Sequence, residues 1–310
     1  MRTFLTKLIP LSIALLLIIS ACKKKDSGST GFTHRIISEK YYSNDVLQGE
    51  GTYEYTGNKL TSMSGTSDNW TYEYTITYPA GNKINVDYSE TDGVNPYEST
   101  IVLTLENEKV VEVLDGTEDK YTYSYNSDGT VASYKEYYLD GSWILGYEST
   151  YTYNSGKLAL IHSIEYGDVN WEDKYTFSYD GDVLTDQVHT YKEGDAWTNC
   201  HKYAYTFTSG KISNIAYTYF DGSAWVSSGN DEFSYDEHGN LIEMIYSSDN
   251  YTDRSEYTYE EGNGNFRMIA ESMEYEYMYP LPNKKSQTLE RDLRNTHRFN
   301  QLPFFGKKPF

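Results

Sequence analysis

Apolar and polar residues alternate along most of this chain with a period of two, and the apolar member is usually tyrosine. Tyr72-Glu-Tyr-Thr-Ile-Thr-Tyr78, Tyr121-Thr-Tyr-Ser-Tyr125, Tyr151-Thr-Tyr153, Tyr175-Thr-Phe-Ser-Tyr179 and Tyr203-Ala-Tyr-Thr-Phe207 all read this way. Successive side chains on a strand point to opposite faces, so each run predicts a strand with one aromatic face and one face of Thr, Ser or Glu. The runs lead into Asp128-Gly129, Ser155-Gly156, Asp180-Gly181 and Ser209-Gly210. Gly with Asn, Asp or Ser tolerates the positive φ of a tight hairpin. A second strand returns, as in Lys157 to Tyr166, and ends in another turn such as Asp140-Gly-Ser-Trp143 or Gly194-Asp-Ala-Trp197.

This two-strand phrase recurs about nine times, every 22 to 29 residues or so, which is the signature of a repeat architecture. The tryptophans fix its register. Of five, Trp143, Trp171, Trp197 and Trp225 follow the second turn of consecutive units at spacings of 28, 26 and 28, and Trp70 holds the same place before Tyr72. Nine hairpins make about eighteen strands, and open twisted sheets rarely exceed about ten without curling. The expected fold is all-β: an antiparallel up-and-down meander that closes into a large β-barrel or strongly curled sheet, shielding its edges. Helical periodicity is not seen after the leader.

Residues 1–22 form that leader. Arg2 and Lys7 precede a short apolar stretch, Leu8 to Ile19, of secretory-signal rather than membrane-span proportions. Residues 23–32 are a Lys/Ser/Gly-rich tether, 33–280 carry the repeats, and 281–310 form a basic tail expected to be poorly ordered. The net charge is −20, and with seven Lys and Arg in the tail the repeat region is more acidic still. Such a surface repels polyanions, so a nucleic-acid partner is set aside.

Ile19-Ser-Ala-Cys22 resembles a bacterial lipobox, which implies lipid attachment at Cys22 and a membrane anchor that does not span the bilayer. Cys22-Lys-Lys-Lys-Asp26 resembles the start of Bacteroidetes-type lipoproteins, implying an outer-membrane address on the periplasmic or, by preference, the cell-surface face. The Tyr-x-Tyr-x-x-x-Gly-x-Leu/Val/Ile pattern, best seen in Tyr121 to Val131 and Phe233 to Leu241, resembles the Rhs/YD-type repeats of bacterial surface proteins. The lipobox with Tyr-rich hairpins is also similar to an uncharacterised family of Bacteroidetes lipoproteins with a porin-like fold. That resemblance implies a barrel and no activity. With Cys22 acylated, Cys200 is the single remaining thiol, and the fold must stand without an internal disulfide.

The Tyr ladders are read as packing, since cross-strand aromatic pairs each contribute roughly 0.2–1 kcal/mol beyond an Ala pair. Trp70, Trp143, Trp171, Trp197 and Trp225 are the candidate ligand-binding residues. Flat rings beside Asp and Asn suit sugars, which offer C–H faces for stacking and hydroxyls for hydrogen bonds. The competing reading is that each Trp clamps its own turn. Asn126 to Gly129, Asp180 to Asp182 and Asp236 to Asn240 hint at calcium loops but lack the ligand spacing, and Asx-Gly turns explain them. Cys200 and His201 are adjacent on a strand, which directs them to opposite faces and argues against direct pairing. His162, His189 and His238 lie in different units without metal-ligand spacing. No catalytic residue, metal or cofactor is therefore expected. The functional expectation is a non-enzymatic envelope lipoprotein with a structural or ligand-binding role, the partner being a glycan or an envelope protein. The alternative is a porin-like pore, for which strand length fits but the tyrosine-dominated aromatic face does not suit the lipid midplane.

Overall fold

The structure, a computed structural model, describes residues 34–262 except 68, 69, 95, 108, 168, 249 and 250. The leader with Cys22, the tether, the tail and the last part of the expected repeat region lie outside the described residues. Eighteen strands follow in order: β1 (His34–Ser43), β2 (Val46–Thr56), β3 (Lys59–Ser67), β4 (Trp70–Thr77), β5 (Lys83–Thr91), β6 (Pro96–Glu106), β7 (Lys109–Asp115), β8 (Asp119–Tyr125) and β9 (Val131–Asp140). The second half comprises β10 (Ser142–Asn154), β11 (Lys157–Glu165), β12 (Trp171–Asp180), β13 (Val183–Glu193), β14 (Ala196–Thr208), β15 (Lys211–Phe220), β16 (Trp225–Tyr235), β17 (Leu241–Ser247) and β18 (Thr252–Glu261).

Every strand pairs antiparallel with its sequence neighbours. β1 pairs with β18 from His34↔Glu261 to Ser43↔Asp253, so the meander closes into a barrel. Arg35 fastens the seam: its guanidinium pairs with Glu260 of β18, donates to the Gly57 carbonyl at 2.6 Å and lies 4.4 Å over the Tyr55 ring.

Alternation along each strand sorts the two faces. In β2, Gly49, Gly51 and Tyr53 are buried while Glu50, Thr52 and Glu54 are exposed. In β4, Tyr74 and Ile76 are buried while Thr71, Glu73, Thr75 and Thr77 are exposed. The convex side of a closed wall is open to solvent, so the buried face is the inner one. The aromatic ladders therefore point inward, with Tyr123 at 8% exposure and Tyr134 at 3%. Buried side chains of nearly every strand, joined by half-buried Tyr147, Tyr151 and Tyr153 of β10, form one continuous apolar cluster. On β2, β4 and β12 the outer face is built mainly of Thr, Ser, Glu, Lys and Asp.

The two rims differ. Chain entry at His34 defines a proximal rim; His34 stacks on His238 of the turn between β16 and β17, ring centroids 4.5 Å apart. Seven of the proximal hairpins carry a one-residue bulge next to the turn, as where Tyr153↔Leu158 follows Thr152↔Leu160. The extra residue restores both the last aromatic and the first aliphatic position to the inner face. A three-part device results. Leu60, Val110 and Leu158 are buried, and their carbonyls accept hydrogen bonds from the hydroxyls of Tyr78 (2.8 Å), just past the end of the following strand, and of Tyr125 (2.6 Å) and Tyr179 (3.0 Å) on the following strand. The lysine before each aliphatic residue lies over the same ring: Lys59 over Tyr78 at 4.5 Å, Lys109 over Tyr125 at 4.6 Å and Lys157 over Tyr179 at 5.5 Å. At Ser155-Gly156 and Ser209-Gly210 both turn residues have positive φ, the twist-matched turn for a two-residue hairpin.

Inner rings lean sideways across neighbouring strands. Tyr72 lies over the paired Gly51 and Gly65, where an added Cβ would meet its hydroxyl oxygen at 2.5 and 2.3 Å. Only glycine lets the ring lie flat there.

Candidate functional site

The distal rim, opposite the chain's entry, carries all five tryptophans, but the structure does not set them in one row. Register decides the side each takes. β1–β2, β9–β10, β13–β14 and β15–β16 each bear a bulge below the distal turn, with Gln48, Gly146, Cys200 and Ser228 as the extra residues. One extra residue inverts the facing of everything beyond it. Trp143, Trp197 and Trp225 lie beyond such bulges and stand on the outer face. The β3–β4 and β11–β12 pairs have no bulge, so Trp70 and Trp171 keep the inward parity of Tyr74 and Phe177. The five tryptophans thus share one rim but divide into an outer set and an inner set.

The outer set is engaged with cations and rings. Lys174 sits 3.6 Å from the centre of the Trp197 ring, and His162 meets that ring edge-on at 5.9 Å. Glu172 beside them accepts from His162 at 3.0 Å and pairs with Lys192. Lys120 lies 4.8 Å over Trp143, and Phe220 packs edge-on against Trp225 at 5.4 Å. Exposure remains substantial at Trp143 and Trp197, and Trp171, at the mouth, is 51% exposed.

Inside the mouth, the distal half of the wall carries buried polar side chains. Tyr74 donates to Glu90 at 3.1 Å, Ser149 and Ser163 are 2.8 Å apart, Tyr205 donates to Gln187 at 2.9 Å, and Tyr217 donates to Asp231. Burial holds the Glu90 carboxyl above its usual range and the Asp231 carboxyl well above it. Gln187 Nε2 and Asp231 Oδ1 have no hydrogen-bond partner among the described residues.

In the same zone the β13–β14 bulge gathers His189, Cys200 and His201. His189↔His201 is the last regular inward pair; the next is Thr190↔Asn199, which leaves Cys200 as the extra residue. Its thiol turns to the side of its neighbour, with Sγ 2.9 Å from His201 Nδ1. The sequence expectation that these two side chains point to opposite faces is therefore wrong, because it assumed an unbroken strand. The two imidazoles stack at 5.8 Å with 10° between their planes, and Tyr175 stacks on His189 at 4.5 Å. Asp173 Oδ1 lies 2.8 Å from His189 Nε2. Burial, aided by the Asp173 charge, pushes the Cys200 thiol up to about 11. Burial and the neighbouring His189 push His201 down to about 4. The side chains gathered round His189 are Cys200 and His201, not the other two histidines singled out in the sequence. His162 stands on the outer wall and His238 at the proximal rim, apart from this group.

The acidic turns satisfy their own backbone. Asp128 accepts from the Thr130 amide at 3.0 Å, and Asp236 accepts from the His238 and Asn240 amides at 2.9 and 2.8 Å. These are Asx turns, as expected.

No family model matches the chain, and no curated protein matches it. Among solved structures, it is similar to a porin-like protein from Bacteroides uniformis, at a TM-score of 0.41 and 14% identity, covering 75% of this chain and 98% of that one. A porin-like protein from Bacteroides vulgatus is similar at a TM-score of 0.37 and 12% identity, covering 73% and 98%. The likeness is one of fold alone.

Proposed function

We propose that the chain is an outer-membrane lipoprotein, held by a lipid on Cys22, whose barrel stands in water and binds a glycan at its distal rim without catalysing a reaction. The carrying observation is the opposition of its two ends: the chain enters at the proximal rim beside His34, while Trp143, Trp171 and Trp197 are exposed at the far end. A lipid tether at the first end presents the second outward. The polar outer wall agrees with this placement, since Thr, Ser and Glu side chains are stable against water and costly against acyl chains. A glycan array with the intact protein and with a Trp171→Ala/Trp197→Ala double variant tests the reading. Binding that disappears in the folded variant supports it; the same array pattern from both proteins removes the glycan role.

A second reading, a pore-forming barrel, draws on closure and strand length. Strands of 7 to 13 residues bracket the roughly 9–11 needed to cross a bilayer. It requires the polar wall to face lipid. Planar-bilayer recordings decide it, and conductance no higher than in protein-free bilayers removes it.

A further inference from the structure

We propose that His189, Cys200 and His201 bind a zinc ion on the inner wall of the barrel, with Asp173 positioning His189. The inference is independent of the glycan reading. The nitrogen and sulfur ligand atoms of the three residues lie within 4.8 Å of one another. Tetrahedral zinc, with Zn–N of about 2.0–2.1 Å and Zn–S of about 2.3 Å, sets its ligands roughly 3.3–3.8 Å apart. Side-chain rotation of about 1 Å therefore closes the site around an ion. The Sγ–Nδ1 contact of 2.9 Å is a hydrogen bond, given up when the thiol proton leaves and Sγ binds the ion.

Three features fit this group for metal rather than for packing alone. One is the donor set: a thiolate with two imidazoles suits zinc, a borderline-soft ion, better than calcium or magnesium. Another is the support behind it. Asp173 accepts from His189 Nε2, which fixes the tautomer that leaves the Nδ1 lone pair for an ion, the carboxylate–histidine–metal arrangement. The third is the bulge itself. The corresponding extra residues of the other distal bulges are Gln48, Gly146 and Ser228, and the inward pairs beside them are Tyr41–Gly49, Glu136–Tyr147 and Tyr217–Gly229. Among these four, the β13–β14 bulge is the one that brings a thiol within reach of two imidazoles.

The balance of the step is simple. Zn²⁺ enters, the Cys200 S–H bond breaks, a Zn–S bond forms, and the proton leaves to water. Both imidazoles donate lone pairs, and the net +1 charge of the thiolate–zinc unit faces the Asp173 carboxylate. Three protein ligands leave the fourth position for water or a ligand atom, below the mouth where Trp171 stands.

The test uses the full chain in detergent, stripped with a chelator and titrated with Co²⁺ as a spectroscopic stand-in for zinc. The expected result is one equivalent bound, with tetrahedral d–d bands, a thiolate-to-cobalt charge-transfer band, and bleaching on addition of Zn²⁺. Cys200→Ser should abolish the charge-transfer band and Cys22→Ser should keep it. Asp173→Asn should keep the band while weakening affinity about 10–100-fold, as loss of an orienting partner does. Unfolding profiles matching the parent confirm that each variant is folded. If Cys200→Ser is unstable, Zn²⁺ should instead slow alkylation of Cys200 in the unaltered chain. No charge-transfer band, a band surviving Cys200→Ser, or alkylation indifferent to Zn²⁺ would overturn the site.

Discussion

The two ends of the inner wall are made from the same repeat and have diverged in opposite directions. The proximal half is the more regular: seven of its hairpins are bulged at the turn, and three of these carry a buried aliphatic residue whose carbonyl accepts from a tyrosine, with a lysine over the ring. The distal half is irregular. Four hairpins have an extra residue there, tryptophans fall on both faces, and Glu90, Gln187, His189 and Asp231 are buried where leucine would be cheaper to desolvate. Uniformity is what stability requires of every unit equally. Departures that raise the desolvation cost at single positions point to work done by those positions.

The sharpest break of this comparison removes one proximal aliphatic side chain. Leu184 has no exposed surface and sits beneath Tyr179 at the start of β13. Leu184→Ala should destabilise by about 2–5 kcal/mol, the range for a buried leucine that leaves a cavity. Chemical denaturation followed by circular dichroism measures it. A loss under about 1 kcal/mol would mean that the inner layer is loose enough to collapse into the space.

The distal half should respond in the other direction at neutral pH. The Asp231 carboxyl is held well above its usual range by burial, and the Tyr217 hydroxyl bonded to it only partly offsets this. A group with a raised folded-state pKa binds more protons in the native state, so its contribution to stability falls as pH rises above its unfolded value, about 3.9. Asp231→Asn removes that dependence. The variant should melt higher than the parent at pH 8, with a difference on the scale of about 1–3 kcal/mol for one poorly satisfied buried group. The gap should close as the pH is lowered to about 4. A variant less stable than the parent by the same amount at every pH would show that Asp231 contributes through shape or hydrogen bonding instead.

The proximal half was legible in the sequence because each of its parts is local. Alternation assigns the inner face of Tyr175, Phe177 and Tyr179, the Gly turn sets the hairpin, and the Lys-Leu pair after it reads as the next buried position. Closure followed from strand number. The distal half was not legible, because a bulge leaves no mark on composition. Trp171-Glu-Asp-Lys-Tyr175 and Trp197-Thr-Asn-Cys-His-Lys-Tyr203 look like one motif with a short insertion. The insertion carries the bulge, turns Trp197 outward and brings Cys200 beside His201. Trp143-Ile-Leu-Gly-Tyr147 has the unbulged spacing and yet contains the bulge at Gly146, so spacing alone does not give the facing.

A finer test of the proximal device is Tyr179→Phe. It deletes the hydrogen bond to the Leu158 carbonyl and leaves the ring under Lys157. The expected loss is about 0.5–1.5 kcal/mol in the same denaturation experiment. The same substitution at Tyr78 or Tyr125 should give the same value, since both make the corresponding bond. Unequal losses among the three would show that the repeats are alike in geometry but not in energy.

The smallest expected effect separates the outer tryptophans from the inner ones. Trp197 has Lys174 over its ring at 3.6 Å and His162 at its edge, so Trp197→Ala should lose about 0.5–1 kcal/mol of cation–π stabilisation at an exposed site. Lys174→Ala should lose about the same amount, and the double variant little more, because both remove one interaction. Trp171 is the more exposed, and its ring makes no such pair among the described residues, so Trp171→Ala should stay within about 0.5 kcal/mol of the parent. A stability loss at Trp171 equal to that at Trp197 would make both residues turn clamps. A silent Trp171 that still alters ligand binding would place the recognition surface at the inner lip of the mouth, where the unbulged register of β11–β12 aims it.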